Sequence, residues 1–409
     1  MKKILTLWSA ACVLAVITGC SSLENEKTFI EDVRFLRDNE TYPVVLKNAE
    51  GARAALSPKL QGRVLTSSPN GDSGLSCGWI NYKLISSGKK NLRANLYGGE
   101  DIFLIGPETG PFSLYCRKNA DPKIENWKVP DTFNTRTWIV TDRSGDSEIS
   151  LASDFEGTDL SGNKKELKLE RTVRLLGSEE IEKQLGISIP KEKIRKVAFS
   201  SLNKIINRGS EAWTPKTGAV SIRIPSMFKP APKTVIAIPF RKNAKSPTGK
   251  DCCFGKIPEK LLTVNEETCI IFLNADGDSK GKIGLSGEQA KWSLGSYDPD
   301  RNLLTIVTCT QGKPGAEYLN SAWEIRKEPV KGFALSANNN VFSGADGKLE
   351  PFYGFETSSP AAFLKPGETL VHRQTTFHFT GDKAELDKIA GKTLGVSLSE
   401  IENKGRKTP

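Results

Sequence analysis

The stretch FETSSPAAFLKPGETLVHRQTTFHF, Phe355 to Phe379, holds both histidines of a 409-residue chain, His372 and His378. LKPGE reads as a turn, because Pro366 presets φ and Gly367 is free to take φ > 0. Beyond it, Thr369 to Phe379 reads as a strand whose side chains alternate between two faces. His372, Gln374, Thr376 and His378 share one face, while Val371, Arg373, Thr375, Phe377 and Phe379 share the other. The phenylalanines turn their face toward a core, which leaves the histidines on a polar face. Six residues at about 3.3 Å each separate the two imidazoles by roughly 20 Å, so they cannot both touch one monosaccharide-sized ligand. His372, nearer the turn and Glu356, is the site candidate. His378 reads as a surface or hydrogen-bonded structural histidine.

The same strand pattern runs outward through most of the chain. KTVIAIPF (233–240), ETCIIFLN (267–274), NLLTIVTCT (302–310) and KLERTVRLL (168–176) are short β-branched or aromatic runs. Turn clusters such as SPNGDSG, NADGDSKG and YDPDRN bound strands of this kind. Many short strands of this kind predict a mostly β chain folded as a large antiparallel sandwich or barrel. No fixed-period repeat points to a propeller, and no central linker divides the chain. Two helix signals stand near the ends. Thr28 and Glu31 form a capping box before Phe29, Ile30, Val33 and Leu36; Asp382 and Glu385 repeat it before Leu386 and Ile389, with Gly391 as the stop. NADGDSKG (274–281) has Asn274, Asp276 and Asp278 at alternating positions, as in a calcium loop. An EF-hand would place Gly and Glu where Ser279 and Leu285 stand, so a turn is expected. There is no GxSxG for a serine nucleophile.

The first residues set the expected compartment. Lys2 and Lys3 precede an apolar run, Ile4 to Val16, and then Ile17-Thr18-Gly19-Cys20, a secretory signal ending in a lipobox. The run of about 13 apolar residues is shorter than the roughly 20 a spanning helix needs. The expected organisation is a signal peptide over 1–19, a tether over 20–27 lipidated at Cys20, and one β-sandwich domain over 28–409. The protein is thereby expected in a bacterial cell envelope, anchored to the outer membrane on its periplasmic or surface face. Removing Lys2 and Lys3 from the formal net charge of +10 leaves +8. This mild, scattered excess suits an anionic glycan or a lipid headgroup, and no nucleic-acid partner is expected. Cys77, Cys116, Cys252, Cys253, Cys269 and Cys309 remain; one or more structural disulfides are the first expectation and buried free thiols the second. No CxxC and no nearby histidine suggests a metal site, and no cofactor is expected.

A family resemblance rests on five stretches in order. They are GRVLTSS (62–68), GWINYKLI (78–85), YGGEDIFLIGPETGPFSLY (97–115), LNKIINRGSEAWT (202–214) and the opening FETSSPAAFLKPGETLVHRQTTFHF. Together they resemble the galactose mutarotase-like superfamily, and more narrowly a group of bacterial lipoproteins of that fold, over about Ser57 to Phe379. The resemblance implies an antiparallel β-supersandwich that binds sugar across a concave sheet. It also implies that Glu356, just ahead of the late turn, is the base that takes the anomeric proton. The chain departs from the family in lacking a histidine before His372; Arg208 to Trp213 stand where an Asn-His-Tyr motif is expected. Loss of an imidazole acid removes a factor of about 10² to 10⁴, which argues against simple mutarotation. Glu100, Asp101 and Glu108, set among glycines, are the acids that could face Glu356 across a cleft; two carboxylates can act on a glycosidic bond. The bland alternative is that these acids cap turns and pair with Arg63 or Arg93; Arg63 is otherwise a candidate substrate-binding residue, and Trp79 and Trp213 are the aromatics that could stack on a sugar ring. The expectation is a lipid-anchored carbohydrate-processing or carbohydrate-binding protein with Glu356 as base. The alternative is a non-catalytic glycan-binding or structural lipoprotein.

Overall fold

A computed structural model describes residues 26–116, 126–242, 250–251, 257–320, 328–340, 343–344, 347–348 and 350–404. Cys20, Cys252 and Cys253 lie outside the described residues. Two antiparallel sheets dominate. The larger has ten strands in the order 262–265, 270–274, 235–239, 293–298, 303–309, 369–381, 194–207, 164–175, 148–158 and 139–142. The smaller has six, in the order 250–251, 281–285, 335–340, 352–358, 221–228 and 104–106. A three-stranded sheet, 44–47, 53–57 and 63–68, stands apart from both in strand pairing. The expected mostly β, antiparallel sandwich is the fold observed.

The opening strand is the spine of the ten-stranded sheet. Thr369–Gly381 pairs with Ile194–Asn207 along its whole length and with Leu303–Cys309 on the other side. Gly367 takes φ +83 in the turn before it. Phe377 and Phe379 pack beneath the helices Ser178–Leu185, Lys383–Leu394 and Leu398–Glu402, which cover the outer face of the sheet with an apolar cluster. On the opposite face, apolar residues of both sheets meet in two large clusters, one around Val197, Phe199, Ile222 and Ile224 and one around Ile236, Leu294, Ile283 and Phe355. Burying these side chains supplies the main driving force for the sandwich, at roughly 25 cal/mol per Å² of apolar surface.

Several local expectations change. His372 and His378 are fully buried, so their polar face looks into the sandwich interior and not onto solvent. The ten-stranded sheet is covered on both sides there, by helices outside and by the smaller sheet inside. The helix Phe29–Asp38 starts as expected, with Thr28 N–H donating to Glu31 Oε2 at 2.7 Å. The second helix does not stop at Gly391: it runs to Leu394, which is buried, and Gly395 at φ +72 ends it. Tyr82–Ser86, Asp131–Asn134, Ser178–Leu185 and Leu398–Glu402 are helices the sequence pattern did not signal. Cys77, Cys116, Cys269 and Cys309 are free thiols, so no disulfide joins these four. Desolvation pushes the thiol of partly buried Cys309 up to about 12. NADGDSKG forms the link between Ile270–Asn274 and Gly281–Leu285, with Asp278 N–H donating to Asp276 Oδ1 at 3.0 Å. Among the described residues no helix is long and apolar enough to cross a membrane.

Candidate functional site

The outer face of the six-stranded sheet is built by strand alternation. Lys282 lies opposite Asn338, Asn338 opposite Gly354, and Gly354 opposite Met227. Two residues along, on the same face, Ser336 lies opposite Glu356 and Glu356 opposite Pro225; Arg223 stands two residues before Pro225 and pairs with Leu104. Residues at this register share a face. Lys282, Asn338, Glu356 and Arg223 are thus brought together from four strands, and Asn340 and Phe352 extend the row.

Glu356 is the centre of the cluster. Both of its oxygens accept from Lys282 Nζ, at 2.8 and 2.7 Å, and Ser336 Oγ donates to Oε2 at 3.2 Å. Arg223 forms an ion pair with Glu356 and a second with Glu108, joining the two carboxylates through one guanidinium. Burial alone would raise the Glu356 pKa. The adjacent Lys282 and Arg223 outweigh it and hold the carboxyl down at about 2.

These residues line a cavity of about 300 Å³, at the small end of the range for ligand pockets. Its other wall is apolar and aromatic, with Tyr115, Trp127, Val129 and Phe133 among its members, and Phe352 adds an aromatic ring from the sheet side. Tyr115 and Trp127 stack at 5.3 Å, and Trp127 Nε1–H donates to Glu108 O at 3.0 Å. Two buried acceptors belonging to lining residues, Glu108 Oε2 and Asn340 Oδ1, have no hydrogen-bond partner among the described residues. An orphaned buried polar atom costs about 1–3 kcal/mol, so both favour a ligand that brings donors.

Of the residues singled out from sequence, the cavity brings together Glu356, Glu108 and Arg63. Arg63 is 3% exposed and donates to Leu60 O, Gly98 O and Gln61 Oε1, at 3.1, 2.9 and 3.3 Å. Its pKa is lowered to about 10 by burial. The other residues lie elsewhere. His372 Nε2–H donates to Thr357 Oγ1 at 2.9 Å, and that hydroxyl donates to Gln374 Oε1 at 2.8 Å. Thr357 and Glu356 are consecutive on one strand and face opposite ways, so His372 and Glu356 sit on opposite sides of the smaller sheet. Burial pushes the His372 imidazole down to about 3.

Glu100 and Asp101 also turn into the sandwich. Glu100 accepts from His378 Nε2–H at 2.8 Å and from Ser67 Oγ at 2.9 Å. Asp101 forms an ion pair with Arg171 and accepts from Ser201 Oγ at 2.8 Å. Trp79 is packed behind the cavity wall against Phe352, with ring centroids 4.9 Å apart. Trp213 is buried in the apolar cluster that contains Val220 and Ile222. The site residues the sequence reading missed are Arg223, Lys282, Asn338 and Asn340. A partial signal existed in Ser221 and Arg223 of SIRIPSMF and in Ser336, Asn338 and Asn340 of LSANNN, polar residues two apart in strands that are buried throughout.

The family of unknown function DUF6786 matches residues 27–405. The chain belongs to this family. No curated protein matches the chain. Among solved structures, the Slr1438 protein from Synechocystis is similar at 12% identity and a TM-score of 0.50, over 84% of this chain and 97% of that one. A galactose mutarotase-like protein from Lactobacillus casei is similar at 12% identity and 0.48, over 82% and 99%. A galactose mutarotase related enzyme from Lactobacillus acidophilus is similar at 8% and 0.45, over 83% and 97%. At 12% identity the similarity to the Slr1438 protein speaks to fold alone, and this DUF6786 member has the antiparallel sandwich architecture described above.

Proposed function

We propose that this protein binds a carbohydrate of monosaccharide size in the cavity on the six-stranded sheet, tethered in the bacterial envelope through a lipid on Cys20. One observation carries the reading: a cavity of about 300 Å³ combines an aromatic wall with ionised and orphaned buried acceptors, Glu356, Glu108 Oε2 and Asn340 Oδ1. A sugar offers what that surface lacks, hydroxyl donors around a ring with apolar C–H faces. The resemblance carried by the sequence points the same way. Glu356 acts here as a fixed acceptor. A carboxylate held at about 2 is a weak proton acceptor near neutrality, because efficiency in general base catalysis follows basicity.

A second reading, sugar turnover, is favoured by Lys282. Its ammonium touches both Glu356 oxygens and is a proton donor in a site without imidazole. The test uses Cys20→Ser protein purified as a folded species, titrated with neutral and acidic monosaccharides by calorimetry and followed by NMR exchange between anomers. Saturable binding, weakened about tenfold in Phe352→Ala, is expected. Folded protein that binds no sugar at millimolar concentration sinks the reading. Anomer exchange that is accelerated by the protein and lost in Lys282→Met establishes turnover instead. Retention of label from a radioactive fatty acid, abolished by Cys20→Ser, is the expected outcome for the anchor.

A further inference from the structure

We propose that the sugar is an acidic one, a hexuronate, whose carboxylate is received by Arg63. The inference rests on the carbohydrate reading of the cavity and adds the class of ligand. Arg63 lines the cavity, is 3% exposed, and has no acidic partner among the described residues. By contrast, Arg171 pairs with Asp101, and Arg223 pairs with both Glu108 and Glu356. A buried charge without a counter-charge is costly, and the three carbonyl-type oxygens around Arg63 offset it only in part.

The geometry of a guanidinium says what would complete it. Of five N–H groups, three are engaged, by Leu60 O, Gly98 O and Gln61 Oε1, and the Tyr97 ring centroid lies 5.4 Å from the guanidinium carbon. One N–H on each terminal nitrogen is left, and such a pair matches the two oxygens of a carboxylate. The balance of charge among the described lining residues agrees. Arg63, Arg223 and Lys282 outnumber Glu108 and Glu356 there by one formal charge. A hexuronate would neutralise it, setting its carboxylate on Arg63 and its hydroxyls on the orphaned Glu108 and Asn340 acceptors. A neutral hexose would leave Arg63 buried and unpaired.

The experiment compares hexuronates (glucuronate, galacturonate and mannuronate) with the corresponding neutral hexoses and hexose 6-sulfates, by calorimetry on the Cys20→Ser protein and on Arg63→Gln and Arg63→Lys. The best uronate is expected to bind about tenfold or more tightly than its neutral counterpart. That preference, read as the ratio of uronate to neutral-hexose affinity on the same variant, should disappear in Arg63→Gln, and Arg63→Lys should restore part of it. Equal or tighter binding of the neutral hexose overturns the inference and leaves the carbohydrate reading standing. A 6-sulfate preferred over every uronate overturns the carboxylate assignment. If no sugar of any kind binds, the carbohydrate reading fails and this inference falls with it. Should Arg63→Gln not fold, the native preference and Arg63→Lys still decide.

Discussion

At the scale of single residues, two buried ionisable groups give distinct pH signatures. The His372 imidazole is held near 3 against an ordinary value of 6.5. Its folded state therefore resists a proton that the unfolded chain accepts, and stability falls as pH drops below about 6.5. Between pH 8 and pH 5 the loss from this group is about 2 kcal/mol. Urea unfolding at the two pH values should show it in the native protein, and His372→Gln should lack that component. Glu356 behaves as a depressed carboxyl. Its contribution is fully present above about 4.5 and is lost as pH falls toward 2. The stability advantage of native protein over Glu356→Gln should shrink by about 2 kcal/mol between pH 7 and pH 3. An advantage unchanged over that range would mean that Lys282 and Arg223 do not hold the carboxylate as described. Glu356→Gln also leaves Lys282 buried beside an uncharged amide, so this substitution perturbs stability as well as the site.

At the scale of elements, the C-terminal helix separates two glycines that look alike in sequence. Gly391 lies inside Lys383–Leu394, and an added Cβ meets nothing within 4 Å. Gly391→Ala should stabilise the protein by about 0.5–1 kcal/mol. Gly395 ends the helix at φ +72, a conformation that costs an L side chain about 1–2 kcal/mol; Gly395→Ala should lower the melting temperature where Gly391→Ala raises it. The capping signals Thr28 and Asp382 were legible because a cap is a local hydrogen bond, as in Asp382 Oδ1 accepting from Glu385 N–H at 3.1 Å. The stop was not, because it depends on Leu394 reaching the layer beneath the helix. Strand alternation was equally local, and the runs around 235–239, 270–274, 303–309 and 369–381 are strands as expected. Which face of Thr369–Gly381 meets what is a property of its neighbours.

At the scale of the whole molecule, a polar seam runs between two apolar cores. Asp101 and Arg171 are both fully buried within it, with Ser201 and Gln374 donating to the Asp101 carboxylate. Removing one partner should cost more than removing both. Asp101→Asn strands the guanidinium and is expected to destabilise by about 3–5 kcal/mol, while Asp101→Leu with Arg171→Met should recover a substantial part of that loss. A double-mutant cycle on urea midpoints measures the difference. The seam also explains why the two most conspicuous side chains of the sequence, His372 and His378, are structural in their contacts. They satisfy Thr357, Thr305 and Glu100 across the sandwich and stay away from the cavity.

The sequence alone determined the strand content, the antiparallel class, the turn at Pro366 and Gly367 and the two terminal helix starts. Each depends on residues within a few positions of one another, where periodicity and capping chemistry are readable. Only the tertiary structure decided that Glu356 is joined to Glu108 through Arg223, and that Lys282 reaches it from a different strand. It alone decided that Glu100 and Asp101 turn inward while Glu108 turns to the cavity, and that Arg63 lies buried without a carboxylate partner among the described residues. Those outcomes depend on strand order and register between segments more than 70 residues apart, and sheet pairing of that kind follows from the global packing of two faces, which no local pattern encodes.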